Sequence, residues 1–187
     1  QTMPKLVGLY TGTQQMIDDP GYFDVLKAEL GLTHVIMGGE YVLSDKTMAL
    51  NPMPPGLEDK APGKGCDDDT ALRNAIDIAH KKVLTVWFCG GGWHGGGGSI
   101  PDMCMQDMHH NPLSDVPIQR YSKEQHAVAF CPGNAALNNW LGEVIGDVMA
   151  QYPYDGVDLT HFRYTAPSFL ENLFGCGCTR CEARASA

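Results

Sequence analysis

Three closely spaced cysteines are the residues whose types and spacing most clearly indicate chemistry. Cys176, Cys178 and Cys181 form a C-x-C-x-x-C cluster. Thiolates at such spacing can converge on one tetrahedral Zn²⁺, and Gly175 and Gly177 give the backbone freedom to curl around the ion. A closed structural zinc site needs a fourth protein ligand. Spacing alone leaves disulfide bonds or unrelated reduced thiols as alternatives, although the odd total of seven cysteines weakens a complete disulfide framework.

The remaining potential metal ligands form a weaker pattern. Four of the seven histidines fall in one Gly-rich stretch that also contains several aspartates. They lack H-x-H or H-x-x-x-H spacing, so a catalytic metal there would depend on how the loop folds. A polar lid is the favoured interpretation of the stretch. The four histidines are His94, His109, His110 and His126.

These side chains must be positioned by regular elements, and the apolar pattern predicts an alternation of strands and helices. Three predicted helices separate the strands. The first ends at Gly31, and the third is amphipathic and is capped by Asn134. The second has an apolar face formed by Leu72, Ala75, Ile76 and Ala79. Acidic residues 67–69 are predicted to begin the second of these helices. Four short, nearly continuous apolar runs are predicted as buried strands: residues 6–10, 33–37, 83–88 and 155–159.

This alternation predicts right-handed βαβ units and a parallel sheet. A doubly wound sheet would need G-x-G-x-x-G after the first strand, which the sequence lacks, so an α/β (β/α)8 TIM-barrel type is favoured. The chain would then cover about the first four βα units of one domain, residues 1–187, with a long third loop at 89–130 and a Cys-rich zinc segment at 175–182. The chain is then either a fragment of such a domain, or the remaining units come from a homo-oligomer or a complementing half-barrel.

Composition limits the partners. Hydrophobic residues make up 43% of the chain, as in an ordinary globular protein, and the net charge of −9 argues against nucleic acid or an anionic membrane as a partner. A neutral carbohydrate substrate is compatible with that charge. No apolar run reaches the roughly 20 residues that span a bilayer. Because no basic start is followed by an apolar segment, we expect no signal peptide in this sequence. The compartment stays open, either cytoplasmic or exported after loss of a signal peptide.

A family resemblance rests on three segments in order. Residues 130–134 read Phe-Cys-Pro-Gly-Asn before a helix, residues 155–159 read Asp-Gly-Val-Asp-Leu, and the C-x-C-x-x-C cluster follows. Over about 55 residues this arrangement resembles the zinc-bearing stretch of family 42 β-galactosidases, in which one Cys before the helix joins the cluster. The resemblance implies Cys131 as the fourth ligand of a structural zinc. It also extends to other glycosidase-like barrels, whose Arg-Tyr pair is matched by Arg163 and Tyr164.

Catalytic chemistry is expected at the carboxyl ends of the strands, where barrel enzymes place their active sites. Glycoside hydrolysis normally uses two carboxyl groups, and the candidates here are Asp158 and Glu40. The sequence departs from family 42, whose fourth strand ends in Asn-Glu, because residues 159–162 contain no Glu. The candidate substrate-binding residues are Tyr10, Trp93, His94, His161 and Arg163.

The favoured hypothesis is therefore a hydrolase acting on O-glycosyl bonds, with a structural four-Cys zinc. Two alternatives remain open: a non-catalytic carbohydrate-binding or scaffold barrel, and a metal-dependent hydrolase or isomerase that uses the loop histidines. Cys89, at a strand end, is predicted to be a small core residue.

Overall fold

The computed structural model describes residues 5–92, 100–112, 117–119, 122–126, 130–160 and 176–187. The chain divides into two compact units, each built from three separate segments. The first unit comprises residues 1–48, 64–90 and 144–159, and the second comprises residues 49–63, 91–143 and 160–187.

Strands and helices follow one another along the chain. The strands are β1 (Gly8–Tyr10), β2 (His34–Met37), β3 (Thr85–Gly91), β4 (Pro117–Gln119), β5 (Ser122–His126) and β6 (Gly156–Thr160). The helices are α1 (Thr13–Asp18), α2 (Pro20–Leu30), α3 (Asp45–Met48), α4 (Thr70–Lys81), α5 (Ala135–Gln151) and α6 (Thr179–Ala185). Two short 3₁₀ helices occupy Glu58–Lys60 and Pro101–Met103.

The first unit contains a four-stranded parallel sheet with the order β1-β2-β3-β6. Leu9 lies opposite Val35, and Val35 lies opposite Val86, so like side chains share a face across the strands. The α/β class and the parallel sheet predicted from the sequence are confirmed, whereas the barrel is not closed.

The two faces of this sheet are buried to different degrees. Val35, Met37, Val86 and Phe88 are at most 1% exposed and form the outer face, which lies in the apolar core. The opposite, inner face carries a stacked His34–Trp87 ring pair, with 4.6 Å between ring centroids. The inner face is less covered than the outer face. Buried residues of the chain that continue the core include Met16, Phe23, Leu72, Ala75, Ile76 and Ala79.

Local signals explain where the helices begin and end. In α2, Pro20 occupies the first turn, Asp19 accepts a hydrogen bond from the backbone of Tyr22 at 3.1 Å, and Gly31 ends the helix at φ 74°. In α5, the Asn134 side chain accepts a hydrogen bond from the Leu137 N–H at 3.1 Å, as the capping prediction required. The acidic residues 67–69 precede α4 and do not form its first turn.

The second unit contains elements that the sequence did not predict. Within the stretch predicted as a loop, β4 and β5 form an antiparallel hairpin, and isolated bridges join Cys104 to Phe130 and Gln106 to Pro112. The first half of α5 also belongs to this unit, and its Trp140 is 1% exposed. The Trp140 indole donates a hydrogen bond of 2.8 Å to the Pro62 carbonyl, which satisfies its buried polar atom.

Within the described part of the chain, no helix is both long enough and apolar enough to cross a membrane.

Asp155 links α4 to the strand β3, and this contact predicts a pH-dependent contribution to stability. Its carboxylate accepts hydrogen bonds from the Val86 N–H at 2.8 Å and from His80 Nε2 at 2.9 Å. Partial burial alone would raise the pKa of Asp155, but these hydrogen bonds outweigh it and lower the pKa below its ordinary value. The contribution is therefore present above the unfolded pKa of about 3.9 and is lost as the pH falls through the folded pKa.

We expect Asp155→Asn to lower the free energy of unfolding at pH 7 by at most about 1 kcal/mol, because both partners are more than one third exposed. The difference from wild type should shrink as the pH falls below the unfolded pKa and through the lower folded pKa. Urea unfolding at several pH values measures it. The control is Asp77→Asn, whose exposed carboxylate pairs with the exposed Lys81 one helical turn away, and which should leave stability nearly unchanged. A constant difference across the pH range would contradict the linkage.

Candidate functional site

Four cysteine sulfurs converge in the second unit. Cys131, Cys176, Cys178 and Cys181 offer sulfur atoms that all lie within 4.8 Å of one another. Cys131 is the centre of the group, at 3.4 Å from Cys178 and 3.6 Å from both Cys176 and Cys181. These separations exclude S–S bonds, which are about 2.05 Å long. The predicted convergence of Cys131 on the terminal trio is confirmed.

The geometry fits a tetrahedral metal. Four sulfurs at about 2.3 Å from a central zinc ion would be about 3.8 Å apart, close to the observed separations. Two backbone N–H groups point at the sulfurs, from Gly133 to Cys131 at 3.3 Å and from Gln106 to Cys176 at 3.4 Å. Such hydrogen bonds orient and stabilise thiolate ligands of a metal. The cluster could therefore bind a metal ion.

Close backbone packing shapes the cluster. A Cβ on Gly177 would lie 2.3 Å from the Asp107 carbonyl oxygen, so this position has no room for a side chain. The Gly177 N–H donates a hydrogen bond of 2.8 Å to the Gln106 carbonyl, which ties the C-x-C-x-x-C segment to the preceding loop. A Cβ on Gly133 would meet the sulfur of Cys181 at 2.9 Å. Both glycines are thus required by the approach of two chain segments.

The electrostatics of the four thiols are uneven without a cation. Hydrogen bonds from the other three thiols, that of Cys176 foremost, lower the pKa of Cys131 to about 5. The hydrogen bond to Cys131 raises the pKa of Cys176 well above its usual range, and burial raises the pKa of Cys181 to about 11. One thiolate is therefore stabilised at the expense of its neighbours, whereas a divalent cation would let all four ionise together.

Arg180 supplies positive charge beside the cluster. Burial alone would lower the pKa of its guanidinium, but the sulfurs of Cys131 and Cys178 raise it on balance. Its Nη2 donates a hydrogen bond of 2.5 Å to the Asp102 carbonyl. The arginine thus offsets the negative charge that four thiolates around a divalent ion would carry. This role was not predicted from the sequence, although the position of Arg180 inside the C-x-C-x-x-C cluster indicates that its side chain lies near the sulfurs.

A second candidate site lies at the carboxyl end of the parallel sheet in the first unit. The Tyr10 hydroxyl, at the end of β1, donates a short hydrogen bond to Asp158 Oδ2, near the end of β6. These strands are the two outer strands of the sheet, which in a flat sheet would lie about 14 Å apart, beyond the combined reach of the two side chains. The sheet must therefore curve towards its inner face, as the wall of a barrel does.

Electrostatics couple Cys89 to the same pair. The hydrogen bond to Asp158 raises the pKa of Tyr10. Burial, followed by the charge of Asp158, raises the pKa of the Cys89 thiol. The half-buried Cys89 lies at the same carboxyl edge of the sheet as Tyr10, and it is more exposed than the small core residue that was predicted. Side chains alternate between the two faces of a strand, so the spacing of residues along β3 and β6 could have predicted that Cys89 and Asp158 share a face of the sheet.

A small cleft opens along this carboxyl edge. It has a volume of about 360 Å³ and is lined by Tyr10, Thr11, Gly12, Ile36, Met37, Gly38 and Cys89. Glu40, the other predicted carboxyl residue, is exposed and is not among the described residues that line the cleft. The structure thus brings Tyr10 and Asp158 together and does not bring Glu40 to them through any described contact.

Other predicted site residues lie outside the described residues. These are Trp93, His94, His161 and Arg163. His109 and His110 are described and exposed, and His110 Nε2 lies 3.9 Å from a carboxylate oxygen of Glu182. Among the described residues, the four cysteines form the group that could hold a metal, and neither histidine is part of it. The hypothesis of a histidine metal site gains no support from the described chain.

Comparison with known proteins gives structural likeness without sequence likeness. No protein-family model and no curated protein sequence matches the chain. Among solved structures, it is similar to a noncanonic maltogenic α-amylase from Thermotoga neapolitana, with a TM-score of 0.51 and 12% identity over 82% of this chain. It is also similar to a debranching enzyme from Nostoc punctiforme, with a TM-score of 0.44 and 13% identity over 82% of this chain.

These likenesses concern the fold. The chain spans 38% of the amylase and 34% of the debranching enzyme. The first supports an α/β fold whose parallel sheet matches part of the fold of that amylase. The lower TM-score of the second carries no argument.

Proposed function

We propose that the chain belongs to a glycoside-hydrolase-like barrel that acts on carbohydrate at the carboxyl ends of its strands. The observation that carries this proposal is the hydrogen bond between Tyr10 and Asp158, which holds one oriented carboxylate at that edge. The fold likeness to a glycosidase supports the proposal. In this scheme the reaction is hydrolysis of an O-glycosyl bond.

Each residue has a stated task in this scheme. Asp158 stabilises the positive charge that develops at the anomeric carbon or activates a water, and Tyr10 orients its carboxylate by hydrogen bonding. Glu40 is proposed as the second carboxyl group, and the cleft that Tyr10, Thr11 and Ile36 line would receive the sugar. The proposed sugar-binding residues are Trp93, His94, His161 and Arg163.

We further propose that the four-cysteine cluster holds a structural zinc ion, as the resemblance to family 42 β-galactosidases implies. Four thiolates fill every coordination position of a tetrahedral ion and leave none open for water or substrate. The ion would therefore stabilise the second unit and take no part in hydrolysis. Cys131, Cys176, Cys178 and Cys181 would be its ligands.

A non-catalytic carbohydrate-binding barrel is the second candidate. The observation that favours it is that residues 159–162 contain no glutamate, whereas the family 42 β-galactosidases, which this stretch resembles, carry their acid glutamate at the end of the fourth strand. In that case Tyr10 and Asp158 would bind sugar hydroxyl groups without turnover.

A panel of aryl glycosides and neutral oligosaccharides distinguishes the two candidates. We expect release of the aryl group or of a reducing end from at least one substrate, together with saturable binding measured by calorimetry. Binding without product release would assign the chain to the non-catalytic class. Absence of both binding and release across the panel would remove the carbohydrate proposal.

A further inference from the structure

One member of the four-cysteine cluster adjoins a cleft in the second unit. Cys181 is half-buried, whereas Cys131 and Cys178 are buried. Cys176 is half-buried as well, but it does not line this cleft. A small solute in the cleft therefore meets the Cys181 side chain before those of the other three ligands. The cleft has a volume of about 160 Å³, and its lining among the described residues comprises Pro132, Gly133, Cys181 and Arg184.

The geometry also gives Cys181 a partner for a disulfide bond. Its sulfur lies 3.6 Å from that of Cys131, and both thiols are free. An S–S bond of about 2.05 Å requires the two sulfurs to approach by about 1.5 Å. Cys181 belongs to α6, in which no residue is buried, so a small shift of this helix disturbs no packed core. The two sulfurs can therefore join without unfolding the unit.

We propose that Cys181 is an oxidation site through which hydrogen peroxide releases the zinc ion, an inference that rests on the proposed zinc site. Cysteine ligands of zinc are thiolates, the nucleophilic form of the side chain. The Cys181 thiolate attacks one peroxide oxygen and the O–O bond breaks, which leaves a sulfenic acid on Cys181. The departing hydroxide takes up a proton and becomes water. Arg184 lines the same cleft and offers guanidinium donors that stabilise this hydroxide as it leaves.

Cys131 completes the reaction. Its thiolate attacks the sulfenic sulfur of Cys181, the S–S bond forms, and the second oxygen leaves as hydroxide and is protonated to water. The two sulfurs have then lost two electrons, and the peroxide has gained them. Cys176 and Cys178 supply only two of the four positions that a structural zinc requires. The ion is therefore lost, and these two thiolates take up protons.

Zinc release from the full chain tests the proposal. A zinc-sensitive dye follows the release while hydrogen peroxide is added in excess. We expect the zinc to be released and peptide mapping by mass spectrometry to find a disulfide between Cys131 and Cys181. Dithiothreitol and added zinc should then restore the metal content, because a disulfide is reversible whereas sulfinic and sulfonic acids are not.

Arg184→Ala keeps all four ligands and tests the cleft directly. We expect it to slow zinc release at least about fivefold, as for the loss of one charge-assisted hydrogen bond. Lys81→Ala removes an exposed cation from α4 in the first unit and should leave the rate unchanged. Cys66→Ser removes another half-buried thiol and should also release zinc at the wild-type rate. Circular dichroism before oxidation identifies any variant that fails to fold.

Two kinds of failure are distinguishable in this experiment. Retention of zinc in excess peroxide, or equal release rates in wild type and Arg184→Ala, would overturn the inference and leave the zinc site in place. Release without a disulfide at Cys181 would overturn it as well. A purified chain without zinc would remove the proposed metal site itself, and elemental analysis before peroxide is added detects that outcome.

Discussion

Cys178→Ser is expected to empty the four-cysteine cluster and to destabilise the second unit by several kcal/mol. Cys178 is 3% exposed and its sulfur lies 3.4 Å from that of Cys131, so serine would leave three thiolates and a buried hydroxyl. Structural zinc contributes about 10–16 kcal/mol of folding free energy even in isolated zinc-finger peptides. Elemental analysis should find about one zinc ion per wild-type chain and almost none in the variant.

Cys66→Ser is the matched control for this prediction. Cys66 is half-buried in the first unit, where its thiol contacts the Asp68 carbonyl at 3.0 Å, a partner that a serine hydroxyl can also reach. We expect full metal content and nearly unchanged stability. Thiol titration gives a further check, because seven cysteines less four bound ones leave three, of which the half-buried Cys66 and Cys89 should react in the native chain and the buried Cys104 should react only after unfolding. Equal metal content in wild type and Cys178→Ser would contradict the proposed site.

Asp158→Asn is expected to lower kcat/KM on any accepted glycoside about a thousandfold. The amide keeps the shape of the side chain but carries no negative charge to stabilise an oxocarbenium-like transition state or to accept a proton. Tyr10→Phe should reduce kcat by about tenfold, because it removes the hydrogen bond that orients the carboxylate and leaves the charge in place. Steady-state kinetics on the best substrate of the panel measure both effects.

Two further variants test whether the loss of activity is specific to Asp158. Asp77→Asn, on the exposed face of α4, should leave kcat/KM unchanged. Glu40→Gln tests the second proposed carboxyl group, and a loss comparable to that of Asp158→Asn would assign Glu40 to the reaction. If Asp158→Asn keeps wild-type turnover, Asp158 has no catalytic role and the Tyr10 contact is structural.

The sequence predicted the parts of the fold that depend on local pattern. The α2 stop at Gly31 and the cap at Asn134 follow from local backbone chemistry, and both are found. The four strands were recognisable from their apolar runs, but the prediction that all four are buried was wrong: β2 is buried throughout, whereas β1 and β6 are partly exposed because each has a described neighbour on one side only. Closure of the barrel was not predictable in this way, because it depends on which surfaces meet β1 and β6, and the hairpin β4–β5 carries no strong apolar alternation in its sequence.

The residues of the candidate sites could be predicted from the sequence where they depend on local spacing, and not where they depend on the tertiary fold. Short spacing brought three cysteines together by itself, and only the family resemblance supplied Cys131, which lies 45 residues before Cys176. Asp158 was predictable as a strand-end carboxyl residue. Its hydrogen bond with Tyr10 depends on the curvature of the whole sheet, which no local pattern encodes.

The cluster joins positions 131 and 176–181, and this has a consequence for a cleaved chain. The ligands on the two sides of an intervening stretch would act as a reversible cross-link, much as a disulfide does. A protease that cuts once between residues 132 and 175 would leave two fragments that remain bound to each other through the metal ion. A chelator under native conditions would then release the C-terminal fragment. Cleavage of the backbone and separation of the two fragments would thus be measured as two distinct events.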